Sequence, residues 1–185
     1  MSIGNDATPT IKVWDGLVRV GHWVLVIGIA AAWLTRHGGS PWHEWLGYLV
    51  LAVVAVRILW GLVGSRYARF AQFIHSPAAT LNYGRQILAG QEPRHVGHNP
   101  LGGWMIVILL GVIAALCVSG WLYTTDRYWG VEWVGDLHEG LTNAMFMLAA
   151  LHIAGVIFSS LRHRENLLAA MINGRKRVPT GRDIT

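Results

Sequence analysis

Cysteine is nearly absent: Cys117 is the single one among 185 residues. That excludes a disulfide within the chain, a zinc site built on cysteine pairs, and a Cys-x-x-Cys-His attachment site. Charge is scarce too. Only 14% of the residues are Asp, Glu, Lys or Arg, while 53% are hydrophobic and the mean hydropathy is +0.39. One soluble core of this size has no use for so much apolar surface, so the composition reads as that of a membrane protein. The first apolar segment lacks both a short basic region before it and a small-residue cleavage site at its end. It is therefore expected to stay in the mature protein rather than to be removed as a signal.

What the chain does have is long apolar runs. Four of them, about 17–34, 42–63, 101–123 and 137–161, approach the roughly twenty residues a spanning helix needs. The expected fold is all-α: one transmembrane domain over residues 1–185, an integral four-helix bundle with short interfacial helices. With four crossings, both termini and the middle loop share a side. That side carries Lys12, Arg19, Arg66, Arg69, Arg85, Arg94 and six basic residues beyond position 161; the opposite loops carry Arg36 and Arg127. The positive-inside rule then makes both termini cytoplasmic, in a multi-pass membrane protein. The pI near 9.9 suits anionic lipid heads flanking the spans and does not call for a nucleic-acid partner.

Between the runs, residues 1–13 read as a loosely ordered polar tail. Ser76 as N-cap and Pro77 at the first position predict a surface helix ending at Gly90, and RHRENLLAAMINGRKR reads as a second one stopped by Gly174. Trp42, Trp45, Tyr128, Trp129 and Trp133 form an interfacial aromatic belt. HEWL at His43 and HEGL at His138, with GHWVLVI from Gly21 and GGWMIVI from Gly102, make a faint repeat, as of a duplicated hairpin. In that alignment His152 falls opposite Arg57, and His22 opposite Gly103.

The functional signal lies in four histidines. His138 and His152 are fourteen residues apart in one run, which returns to within about 40° of the same helical face and climbs about 21 Å. His22 reaches the depth of His152, and His43, near the start of its helix, the depth of His138. Two level-matched pairs follow: His22 with His152 at the inner level, His43 with His138 at the outer. Opposed imidazoles without carboxylate or thiolate suit a metal that brings its own equatorial ligands, which is haem, held between facing helices of a bundle. Zinc wants four protein ligands, or three and water; Glu44 and Glu139 are candidates for that only at the outer level. Arg57, fourteen residues after His43, and Arg19, three before His22, are candidates to pair with haem propionates. The alternative for Arg57 is to snorkel to the headgroups. His37, His75, His95, His98 and His163 lie in loops or beyond helix ends and read as surface groups.

The stretches WDGLVRVGHW (14–23), HEWLGY (43–48) with Arg57 following, GSRYARFAQFI (64–74), GHNPLGG (97–103), and LHEGL through LHIAGV resemble the bacterial cytochrome b561 family, which includes the b-type cytochrome subunits of nickel-iron hydrogenases. The resemblance implies four helices, two haem b groups with bis-histidine ligation, and electron exchange with membrane quinone or quinol. The expected function is electron transfer across the cytoplasmic membrane between the quinone pool and a periplasmic cytochrome or redox enzyme. The rivals are a superoxide:quinone oxidoreductase acting alone, the membrane anchor of a dehydrogenase or hydrogenase, and a histidine-lined metal or proton transporter. The chain has no extended C-terminal region like that of the hydrogenase subunits, which favours a stand-alone or small-partner role. Asp126, Glu132, Asp136 and Glu139 in the outer loops suit a basic partner.

Overall fold

A computed structural model describes residues 9–37 and 40–185. Four helices are long and apolar enough to cross a membrane: α1 (Gly16–Leu34), α2 (Pro41–Val63), α5 (Pro100–Tyr123) and α6 (Glu132–Arg162). Between α2 and α5 lie a 3₁₀ turn (Arg66–Ala68), α3 (Phe70–Phe73) and α4 (Pro77–Leu88); after α6 comes α7 (Leu167–Asn173). Strands β1 (Thr10–Lys12) and β2 (Arg175–Arg177) pair antiparallel, Thr10 opposite Arg177 and Lys12 opposite Arg175.

Local chemistry starts and stops these elements. The Asp15 carboxylate accepts the Val18 N–H and so caps α1, the Asn99 side chain accepts the Gly102 N–H at 2.7 Å, and Ser76 accepts from Ala79. Proline occupies the first turn of α2, α4 and α5, where its missing N–H costs nothing. The spans are apolar all round, as helices in lipid must be: Leu34, Val63 and Leu161 each leave about three quarters of their surface outside the bundle.

The helices pack as α1 on α2, α2 on α5 and α5 on α6. Val50 and Val54 of α2, Leu110 and Ile113 of α5, and Met145 of α6 form the core. Lipid tails are as apolar as these side chains, so close packing rather than water exclusion holds the helices together. Among the described residues α6 runs along α5 but makes no extended backbone contact with α1 or α2. The space between α6 and the first hairpin is where the site lies.

Both tails and the 64–99 connection gather at one end, here called the terminal end; the α1–α2 and α5–α6 loops form the loop end. The expected loose tail is corrected in part: residues 10–12 are a strand, and Val13 and Trp14 are buried. Gly174, at φ 80°, ends α7 in the left-handed region, and its carbonyl accepts the N–H groups of Val13 and Trp14 at 2.8 and 3.1 Å. A partner 160 residues away orders the tail, which no local pattern announces; positions 1–8 of that expected tail lie outside the described residues. Beneath the ribbon, buried Arg94 bridges Glu165 at 2.6 Å and Asp183 at 2.5 Å, and Lys176 reaches Glu165 at 3.3 Å. Arg164, at φ 50°, separates α6 from α7, so the surface helix after the fourth span covers only 167–173.

Candidate functional site

The apolar run of the last span begins near 137, but α6 begins at Glu132, placing His138 on its second turn rather than at its start. His43 is the third residue of α2. Their rings nevertheless meet: the centroids are 6.2 Å apart, with the planes at 81°. Two imidazoles sharing one metal at about 2.0 Å through outward-facing nitrogens have centroids about 6 Å apart.

In both rings Nδ1 is held by a neighbouring span. His43 Nδ1 lies 2.9 Å from the Ala32 carbonyl of α1, and His138 Nδ1 lies 3.1 Å from the Leu116 carbonyl and 3.1 Å from Ser119 Oγ, both of α5. A carbonyl only accepts, so each Nδ1 carries the proton and each Nε2 keeps a lone pair. That is the arrangement of a metal-binding histidine fixed by its second hydrogen bond. Gly120 makes room for it: a Cβ there would stand 2.9 Å from His138 Cε1.

At the terminal end, His22 of α1 and His152 of α6 are within electrostatic reach of each other. His22 Nδ1 is buried with no hydrogen-bond partner among the described residues. Arg57 stands at this level, 8% exposed, with Nη1 buried and without a partner among the described residues, and the guanidinium 5.4 Å from the Phe70 ring. It does not snorkel. The Asp15 carboxylate in its field is already spent on Val18 N–H, Trp60 Nε1–H at 2.9 Å and the Ser65 hydroxyl at 2.5 Å. A buried cation without an anion costs several kcal/mol, on the order of what breaking a buried pair costs. A carboxylate arriving with a cofactor answers that need, and so the residues fit a haem with propionates.

Arg19 fits less fully. One guanidinium nitrogen donates to the Ile172 carbonyl at the end of α7, and the side chain lines an outward groove with Val20, Trp23 and Ile27; Nε is buried and has no partner among the described residues. Glu44 and Glu139 are exposed and do not join the His43–His138 pair. Among the described residues no three His, Cys, Asp or Glu side chains gather as a metal cluster. Two imidazoles per level fit a metal that brings its own equatorial ligands. A haem iron held by two histidines would be suited to passing single electrons rather than to binding oxygen.

One residue read from sequence as a surface group belongs here. His98 packs against Trp14 at 4.4 Å and Phe73 at 4.8 Å, its Nδ1 buried and unpartnered although part of the ring remains accessible. Burial, with Lys176, Arg57 and His152 adding to it, pushes this imidazole down to about 3, so it is neutral. In the cap beside it, His75 and His95 form a further pair at 6.3 Å, next to Tyr83. His37 is exposed and His163 sits at the end of α6.

Comparison with known proteins identifies the family. The model of the family described as Prokaryotic cytochrome b561 matches residues 13–174. A protein of Bradyrhizobium diazoefficiens named "Probable Ni/Fe-hydrogenase B-type cytochrome subunit" is 22% identical over 91% of this chain and 86% of its own length. One of Escherichia coli K12, named "Probable Ni/Fe-hydrogenase 1 B-type cytochrome subunit", is 20% identical over 92% of each. No solved structure matches significantly. With the family model spanning most of the chain, four membrane-spanning helices beneath it and paired histidines between them, this protein belongs to the prokaryotic cytochrome b561 family and is a multi-pass membrane cytochrome of b type, an electron-transfer protein.

Proposed function

We propose that the chain is a dihaem cytochrome that carries electrons across the bacterial cytoplasmic membrane between the quinone pool and a redox partner on the periplasmic side. His43 and His138 hold one haem b at the loop end, His22 and His152 the other at the terminal end, and Arg57, with Arg19 and its one free nitrogen, binds propionates. The observation that carries this reading is the 6.2 Å approach of His43 and His138 with both Nδ1 atoms held by backbone carbonyls. Bound haem supplies the one-electron couple. His43 and His138, oriented by the Ala32 and Leu116 carbonyls, would hold the group at the loop end, and His22 and His152 at the terminal end.

The terminal end is the cytoplasmic one in this reading, supported by the basic residues gathered there. The loop end faces the periplasm with Asp126, Glu132, Asp136 and Glu139 exposed. The names of the two relatives favour one partner class, a hydrogenase, over the stand-alone or small-partner role expected from the sequence.

Visible spectroscopy of the purified chain, with haem counted per protein, tests the assignment. Two haems b are expected, His22→Ala and His152→Ala each deleting the same one, His43→Ala and His138→Ala each deleting the other. Absence of haem, or a loss that does not follow these pairs, overturns it. Co-purification of a large metalloenzyme decides between an enzyme anchor and a free-standing carrier, and quinol-driven haem reduction tests the quinone.

A further inference from the structure

We infer that the terminal end carries a binding site for one anionic phospholipid, its phosphate among Arg19, Lys12 and Arg175 and one acyl chain in the groove along α1. The site goes beyond electron transfer. It stands on the four spans and their surface chemistry, and not on which histidines hold haem.

Arg19, Val20, Trp23, Val24 and Ile27, with Ile172 of α7, line a groove of about 290 Å³. Steps of three, four and seven residues keep positions 20, 23, 24 and 27 on one face of α1. Leu25 and Ile29, on another face, pack on the core. Val20 and Ile27 leave about two thirds of their surface outside the bundle, and Ile172 is 60% exposed. Because α1 crosses the membrane, what lies against these side chains is hydrocarbon. Val20 to Ile27 spans about 10 Å of helix, along which an acyl chain is gripped from two helices instead of one.

The mouth of the groove is cationic. Arg19 Nη1 donates to the Ile172 carbonyl and Nε is enclosed; Nη2, which has no hydrogen bond among the described residues, is the nitrogen left towards the groove. Gly174, where a Cβ would stand 3.1 Å from Arg19 Nε, seats the guanidinium against the start of β2. Next to it, Lys12 and Arg175 face each other across the antiparallel ribbon, both exposed, with Arg177 two residues on along the same face. Like charges directly opposite each other weaken a strand pair. A phosphate between them removes that repulsion.

The acids of this end are committed elsewhere. Asp15 accepts from Val18, Trp60 and Ser65, Glu165 and Asp183 hold Arg94, with Lys176 also on Glu165, and Glu92 holds Arg162. A phosphodiester suits the guanidinium fork of Arg19. Lys12 and Arg175 then choose among phospholipids, since they repel the ammonium of a zwitterionic head and attract a head of net negative charge.

Titration of the full chain, with its haems, by phosphatidylglycerol or phosphatidylcholine in detergent, with bound lipid counted by native mass spectrometry, tests this. One phosphatidylglycerol per chain is expected, held on the order of tenfold tighter than phosphatidylcholine and loosened by salt. Lys12→Gln and Arg175→Gln should each weaken it about fivefold, Arg19→Gln should weaken it further, and Val24→Trp, which fills the groove, should weaken it with every cation in place. Hydrogen exchange of the amides of 10–12 and 175–177 should slow when phosphatidylglycerol is added. Equal affinity for the two lipids, no saturable site, unchanged binding in the Lys12→Gln/Arg175→Gln double variant or in Val24→Trp, or displacement by inorganic phosphate at the lipid's own concentration would overturn the site. Should Arg19→Gln lose haem as well as lipid, the Lys12 and Arg175 variants decide, since neither residue is assigned to the cofactor. The haem-to-protein ratio is read in the same samples: a wild-type chain without haem refutes the electron-transfer reading and leaves the lipid site standing, whereas failed lipid binding at full haem refutes the lipid site alone.

Discussion

Gly120→Ala is the most discriminating single change, because one methyl group reports on the position of one imidazole. The added Cβ would lie 2.9 Å from His138 Cε1 and 3.3 Å from Nδ1. Ordinary contact begins near 3.4 Å, so the ring must retreat by about half an ångström, small beside a side chain but not beside a ligand bond. Retreat strains the hydrogen bonds to Leu116 and Ser119, each 3.1 Å long, which together orient the ring. Two energies oppose each other in the fold itself. Overpacking costs about 1–3 kcal/mol, and replacing glycine by alanine within a helix returns about 1 kcal/mol, so thermal stability should fall only slightly. Ligation has no such compensation, and loss of an orienting hydrogen bond typically weakens a metal site about 10–100-fold. The expected result is a well-folded protein with the His43–His138 haem depleted and the other retained, read from haem-to-protein ratio and reduced-minus-oxidised spectra. Gly84→Ala on α4, where a Cβ meets nothing within 4 Å, is the control. A Gly120→Ala protein with both haems at full occupancy and an unshifted spectrum would refute the placement of His138.

Other consequences lie in the cap. Arg94→Ala leaves the buried carboxylates of Glu165 and Asp183 short of their cation and should cost about 3–5 kcal/mol, visible as a lower unfolding temperature by circular dichroism. The same cluster makes the cap acid-sensitive. Burial alone would raise the Glu165 carboxyl, but Arg94 and Lys176 outweigh it, and Asp183 is likewise held below its usual range by Thr180 and Arg94 against burial. Because both are depressed in the fold, their contribution is complete once pH is above the unfolded values near 4, and is lost as pH falls through the folded values; hydrogen exchange of the tail amides, corrected for its intrinsic pH dependence, should accelerate there and not at pH 7. Gly174→Ala strains a residue at φ 80°, costs on the order of 1–2 kcal/mol, and should free the β1–β2 ribbon to proteolysis while both haems remain. Asp15→Ala removes the α1 cap together with the acceptor of Trp60 and Ser65, a loss of about 1–2 kcal/mol that should also change Trp60 fluorescence.

How much of this was legible in sequence depends on the range of the interaction. Ser76 and Pro77 announce α4 because a cap and its helix are neighbours, and Gly174 announces the end of α7 for the same reason. The level-matching of His43 with His138 was legible because depth in a membrane follows from rise per residue alone. His98 was not, since its isolation from water comes from Trp14 and Phe73, brought to it by the folding of two other segments. The ribbon tying residues 10–12 to 175–177 was hidden for the same reason.

The sequence by itself determined a membrane-spanning four-helix chain and the depths of its histidines, because hydropathy and helical rise run along one dimension. Only the tertiary structure decided what surrounds each ring: the carbonyls of Ala32 and Leu116 behind His43 and His138 and, among the described residues, none behind His22 Nδ1 and no anion paired with the enclosed Arg57. Those contacts depend on how the helices rotate against one another, and rotation is set by packing across the bundle, which no single run of residues encodes.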